Sequence, residues 1–258
     1  MPRSSRWRGL ASRLGRGRLG VALVTMLVTA SCAGILPRPP ESPAATAPAT
    51  KKAQKAWQEE FDLSQRTLVS AGESRYFVLR PGFQLTLASA REQLVITVLE
   101  ETREIGGFSV RVVEERESER GSLSEVSRNF FAIDQQTGDA FYFGEEVDTF
   151  AGGTLIGHPG SWLAYEGDNR PGMIMPGEPQ VGMRYYQELA PGKATDRARV
   201  VSVSESISTP AGDFENCLLT QESSPIEPAA TEYKTYCPGI GLVQDQSLIL
   251  VSFQTVPQ

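Results

Sequence analysis

Three cysteines, one histidine and 31 acidic side chains are what this 258-residue chain offers for chemistry. The histidine, His158, sits in "IGHPGSW" between a glycine and a proline, a setting that reads as a turn. A zinc centre or a Ser-His-Asp triad would have to use this imidazole, and zinc needs further nitrogen or sulfur ligands beside it. The chain has no G-x-S-x-G elbow, no Cys-x-x-Cys pair and no G-x-x-x-x-G-K-[ST] phosphate loop. Its acids are more concentrated. "FGEEVDTF" gathers Glu145, Glu146 and Asp148, with Asp134 and Asp139 shortly upstream, oxygen donors of the type calcium takes. The ordered ligand spacing of a calcium loop is missing, so these acids are expected on a solvated β surface, with no metal and no cofactor. Paired carboxylates can also hydrolyse glycosides, a reading that depends on their separation in space. No catalytic constellation emerges, and the chain is expected not to be an enzyme.

The first cysteine belongs to a different chemistry. Arg3, Arg6, Arg8, Arg13, Arg16 and Arg18 precede the apolar run "LGVALVTMLVTA", which ends at "SCAG". This order of basic, apolar and small residues is that of an export signal. As a helix the run rises about 18 Å, short of the roughly 30 Å needed to span a bilayer. "TASC" resembles the lipobox of bacterial lipoproteins, which implies cleavage before Cys32 and acylation of its thiol. Thr29 stands where leucine is usual, and cleavage by the ordinary signal peptidase is the alternative. Ala33 and Gly34 lack the aspartate that retains enterobacterial lipoproteins at the inner membrane, so an outer-membrane address is expected. Pro37, Pro39, Pro40, Pro43 and Pro48 then make an extended tether. The organisation expected is a signal peptide over 1–31, a lipidated cysteine and linker over 32–56, and a folded domain over 57–258. Without the six leading arginines, 19 basic side chains face 31 acidic ones, a formal charge of about −12 that repels nucleic acid.

If Cys32 is the anchor, Cys217 and Cys237 remain as one pair in an oxidising compartment. They lie in "FENCLLTQE" and "TEYKTYC", on either side of "SSPIEPAA". A hairpin centred on Glu227 sets them opposite one another, close enough for a disulfide with small adjustment.

The elements that must carry these residues read as strands. "YFVL", "FQLTLA", "QLVITVLEE", "FSVRVVEERE", "EVSRNFFAI" and "DAFYFGEE" follow one another between Gly, Pro and Asp signals, and the style continues to "SLILVSF". "EIGG" and "DQQTGD" read as hairpin turns. In "RARVVSVSESI", Val201 and Val203 alternate with Ser202 and Ser204, as on a strand with one wet face. The expected fold is all-β, a mainly antiparallel barrel or strongly curved sheet in a single domain, without a fixed-period repeat. One short helix is expected over "KKAQKAWQEEFDLSQ", pairing Trp57 with Phe61. Phe130, Phe131, Phe141, Phe143, Tyr185 and Tyr186 are expected mostly in the core, or lining a barrel interior that holds an apolar ligand.

The C-terminal stretch "STPAGDFENCLLTQE…EYKTYCPGIGLVQDQ" resembles the TapB-like family of bacterial secreted and lipoprotein domains. Pro210, Ala211, Gly212, Phe214 and Cys217 match its first motif, and Tyr236, Pro238, Gly239, Gly241, Leu242 and Val243 its second. Cys237 stands where the family more often has alanine. The resemblance implies a β-rich envelope domain of unknown activity. The expected function is a lipid-anchored envelope domain that binds an apolar ligand or an envelope partner. A scaffold without a small ligand and a carboxylate-based hydrolase are the alternatives.

Overall fold

The computed structural model describes residues 56–257. The expectations for the signal peptide, for Cys32 and for the tether up to Lys55 fall outside the described residues. Three two-residue strands come first: β1 (Leu68–Val69), β2 (Glu73–Ser74) and β3 (Phe77–Val78). The long meander follows, as β4 (Phe83–Ala88), β5 (Glu92–Ile105), β6 (Phe108–Glu119), β7 (Ser122–Asp134) and β8 (Ala140–Ala151). Short strands β9 (Thr154–Gly157), β10 (Trp162–Leu163), β11 (Arg170–Met175), β12 (Arg184–Tyr186) and β13 (Glu188–Leu189) lead into a second meander. This comprises β14 (Arg197–Thr209), β15 (Gly212–Ser224), β16 (Glu227–Cys237), β17 (Gly241–Asp245) and β18 (Leu248–Thr255).

The two meanders are one antiparallel sheet, because β18 pairs with β4, setting Thr255 opposite Phe83 and Ile249 opposite Ala88. The path runs β12-β14-β15-β16-β17-β18-β4-β5-β6-β7-β8-β11-β13. Its two end strands, β12 and β13, are separated in sequence by Gln187 alone, so the sheet curls into a nearly closed barrel. Closure needs close approach at the seam. A Cβ on Gly172 of β11 would lie 2.1 Å from the Gln187 carbonyl oxygen, which leaves glycine as the residue that fits.

The hairpin turns follow the sequence signals. Gly106 and Gly107, at φ 59° and 85°, turn β5 into β6, with Ile105 opposite Phe108. Glycine reaches both angles without Cβ strain. Ile133 pairs with Ala140 across "DQQTGD". In β14 the register shifts between Val200 and Ser202. That bulge puts Ala198 and Val200 in the core and leaves Val201 and Ser202 both half-buried; from Val203 on the expected wet face holds, with Ser204, Ser206 and Ser208 exposed between half-buried Val203, Glu205 and Ile207.

The expected N-terminal helix is absent from residues 56–65, where one 3-10 turn, Leu63–Gln65, is formed. Gln58 instead donates its backbone N–H to the Arg184 carbonyl and accepts from the Tyr186 N–H, both at 2.9 Å. Pairing with the exposed edge of β12 and burial of Phe61 against Phe141 outweigh local helix preference. Trp57 lies 6.1 Å from the Tyr186 ring and under the Arg197 guanidinium, 4.3 Å from its own ring centre.

Cys217 and Cys237 form the disulfide, with Cα atoms 4.3 Å apart and both residues fully buried. Around it β15 and β16 pair Leu218 with Tyr236, Leu219 with Thr235 and Thr220 with Lys234, the register that a hairpin centred on Glu227 predicts. The turn itself is tighter. Ser224 pairs with Glu227, leaving Pro225 and Ile226 as the turn and a register shift over the following residues of β16. Closing this loop of 20 residues contributes about 3 kcal/mol in the chain-entropy account. The Cys217→Ser/Cys237→Ser variant is therefore expected to unfold at lower urea, by about that amount. Thiol titration of the unfolded wild-type domain is expected to detect neither residue without reductant. Two reactive thiols would disprove the bridge.

Candidate functional site

Period-2 alternation decides what faces the barrel interior. Along β4 the buried positions are Phe83, Leu85 and Leu87. Along β16 they are Ala230, Glu232, Lys234 and Tyr236, and along β15 Leu218, Thr220, Glu222 and Ser224. β6 adds Val113, Glu115 and Glu117, and β7 adds Glu125, Ser127, Asn129 and Phe131. The same strands therefore supply apolar groups at one level and charged ones at the next. The charged level also receives Glu145 from β8, Glu188 from β13 and Asp245 from β17, with Asp196 just before β14.

Glu222 is the hub of this level. Its Oε2 lies 2.7 Å from Lys234 Nζ, an ion pair whose side chains are 3% and 0% exposed. Its Oε1 accepts from the Gln187 amide at 3.2 Å, from the Thr220 hydroxyl at 3.1 Å and from the Tyr236 hydroxyl at 3.4 Å. The Tyr236 phenol is pushed well above its ordinary range by burial and then by Glu222, and so stays neutral. On the opposite wall Tyr142 donates to Asn129 Oδ1 at 2.8 Å. Glu115 is pushed well above the usual carboxylate range, first by burial and then by Glu117, with Glu145 and Asp245 adding to the effect and Lys234 opposing it. The shift favours its protonated form.

Glu115 and Tyr236 also border an apolar pocket of about 60 Å³. Its walls include Phe83 and Leu85 of β4, Val98 of β5, Val113 of β6, Phe131 of β7 and Leu242 of β17. Tyr76 and Phe77 help to cover it, and the Tyr76 hydroxyl donates to the Asn216 carbonyl at 2.9 Å, tying that cover to β15. Glu115 is the one acid among the lining residues. At about 10–15 Å³ for each water-sized probe, the space suits a chain of about four to six atoms.

The structure disperses the acids singled out as weak calcium candidates. Adjacent residues of a strand face opposite ways, so Glu145 is fully buried while Glu146 pairs outside with Arg103 at 2.5 Å. Asp148 lies 2.7 Å from His158 Nδ1 on the surface, and the same nitrogen is 3.1 Å from the Val147 carbonyl oxygen. Asp134 and Asp139 share the Arg66 guanidinium at 2.8 and 2.9 Å. Among the described residues no group of three or more His, Cys, Asp or Glu has the geometry to hold a metal. The expectation that these acids would sit on a solvated surface is corrected for Glu145 and Asp134, which are buried; Glu115, Glu117, Glu125, Glu188, Glu222, Glu232, Asp196 and Asp245 are buried as well.

Phe130, Phe131, Phe141, Phe143 and Tyr185 are buried as expected, and Phe131 reaches the pocket. No helix among the described residues is long and apolar enough to cross a membrane. No family model matches the chain, and no curated protein or solved structure matches it either.

Proposed function

We propose that this chain is a lipid-anchored domain of the bacterial cell envelope that binds a small apolar group in the pocket between Tyr76 and Leu242. The observation that carries the reading is the pocket itself: apolar walls contributed by several strands, with one carboxyl among the lining residues to orient what enters. The export signal, Cys32 and the proline-rich tether support the envelope address, and the Cys217–Cys237 bridge suits an oxidising compartment. Tyr236, Gly241 and Leu242, three of the residues that carry the resemblance to TapB-like domains, also line the pocket. A hydrolase of the two-carboxylate type would need a second acid facing the same space.

The test is a methyl NMR titration with n-hexanol, using the exported chain bearing Cys32→Ser so that no acyl anchor competes for the ligand. Saturable shifts are expected at the methyls of Leu85, Val98, Val113 and Leu242, while those of Val200 stay put. Equal drift at all methyls up to millimolar hexanol would remove the binding reading. For the anchor, acyl labelling of the wild-type chain that disappears in Cys32→Ser is the expected result.

A further inference from the structure

We infer that the pocket takes a primary alkylammonium group, its apolar stem against the pocket walls and its positive end paired with Glu115. This deepens the binding reading above and rests on it. Four observations lead to it.

First, Glu115 is only 4% exposed and lines the pocket. Among the described residues no hydrogen bond reaches its carboxyl. A buried polar group without a partner is costly, and a ligand that supplies one recovers that cost.

Second, the groups facing Glu115 from the neighbouring strands set the sign of the charge preferred there. They are Glu117 of β6 itself, Glu145 and the Tyr142 phenol of β8, Asp245 of β17 and Lys234 of β16, with the Tyr236 phenol of β16 beside Glu115 in the pocket lining. Lys234 is already held by Glu222 at 2.7 Å. The Glu115 side of the pocket therefore favours a cation and repels an anionic tail.

Third, Tyr76, Phe77, Phe83, Phe131 and Tyr236 bring aromatic rings to the lining, and ring faces attract an alkylammonium. Fourth, a cavity of about 60 Å³ matches a stem of about four to six atoms and leaves a whole lipid outside. Two sources share this chemistry, a free short alkylamine and the lysine side chain of another protein.

Protons must balance. Burial and Glu117 raise the Glu115 carboxyl well above the usual carboxylate range in the empty pocket, and an alkylammonium stays charged below about pH 10. When the ammonium docks on the protonated acid, the Glu115 O–H bond breaks and its proton leaves to solvent, so the bound pair is carboxylate and ammonium. Where free Glu115 is protonated, binding releases one proton, and affinity rises with pH by up to about tenfold per unit.

The experiment compares n-hexylamine, n-hexanol and n-hexanoate by calorimetry and methyl NMR on the same Cys32→Ser chain from pH 6 to 8. Hexylamine is expected to bind at least tenfold more tightly than hexanol, with hexanoate weakest. Its affinity should increase with pH, and its heat should vary with the buffer's ionisation enthalpy as one proton is released. Glu115→Gln should abolish the preference for amine yet keep hexanol bound, which also shows that the variant is folded. Equal affinities for amine and alcohol, or a hexylamine affinity unchanged in Glu115→Gln, would overturn the counter-ion assignment and leave the apolar pocket standing. Failure of every ligand to shift the pocket methyls would overturn both. An acetylated Ala-Lys-Ala amide separates the two sources: binding of peptide and hexylamine assigns the pocket to a lysine side chain, and binding of hexylamine alone assigns it to a free amine.

Discussion

Lys234→Met is expected to cost about 3–5 kcal/mol of folding stability, the amount typical of removing one member of a buried ion pair. The Lys234 side chain is fully buried and its ammonium lies 2.7 Å from Glu222. Burial alone would lower its pKa, but Glu222, Asp245 and Glu232 more than reverse that, and the ammonium stays charged throughout the physiological range. Methionine fills most of the volume, so the loss is electrostatic rather than a cavity. What remains is Glu222 held by Gln187, Thr220 and Tyr236 but without its counter-charge. Adding Glu222→Gln to Lys234→Met should recover part of the loss, because the amide still accepts hydrogen bonds and carries no charge. A double-mutant cycle by urea unfolding measures that coupling. If Lys234→Met alone cost less than about 1 kcal/mol, the ammonium could not be a buried counter-charge.

The same residues show where the sequence is readable and where it is not. Turn chemistry is local, so "EIGG", "DQQTGD" and the register between Cys217 and Cys237 follow from a few residues each. Sheet closure is not local. It depends on β18 finding β4, a contact between residues far apart in the chain that no window of sequence contains, and on Gly172 meeting the Gln187 carbonyl across the seam. The segment from Trp57 to Phe61 carries a helical spacing, yet the free edge of β12 offers it backbone partners that a helix on the surface would forgo.

The charged interior was legible in principle. In "TEYKTYC" the alternation that buries Tyr236 also buries Lys234 and Glu232, and in "LLTQES" the face of Leu218 continues to Thr220 and Glu222. Composition misleads here, since acids on strands ordinarily face water and only partners from distant strands make their burial tolerable. Lys234 opposite Thr220 is such a partner, and it becomes visible once the hairpin register is fixed. Glu115 differs, because its surroundings come from β8, β16 and β17 as well as its own strand. Nothing near position 115 in the sequence announces a pocket.

Raising the pH from about 5 to 8 is expected to destabilise the ligand-free domain, opposite to the usual behaviour of a protein whose carboxylates are salt-bridged. Two buried acids drive this. Glu115 is raised by burial and by Glu117, and Glu188 by burial, Asp196 and Glu145, with the Asp196 backbone and Lys234 opposing. In the unfolded chain both ionise near pH 4.3, whereas in the folded barrel both keep their protons well above that. The folded state thus binds more protons than the unfolded one, and stability falls as pH rises until the folded-state pKa is passed. The slope is at most about 1.4 kcal/mol per pH unit for each group. Asp134 acts in the other direction: burial raises its pKa, but the Gln136 amide, Arg66 and Thr137 together bring it below the usual value. Its contribution is complete above the ordinary aspartate range and fades in stronger acid. Urea unfolding at a series of pH values gives the curve, and Glu115→Gln should reduce its downward slope by up to one proton's worth. A stability that stays level or rises between pH 5 and 8 would mean that Glu115 and Glu188 are ionised inside the barrel, with the cation that balances them already in place.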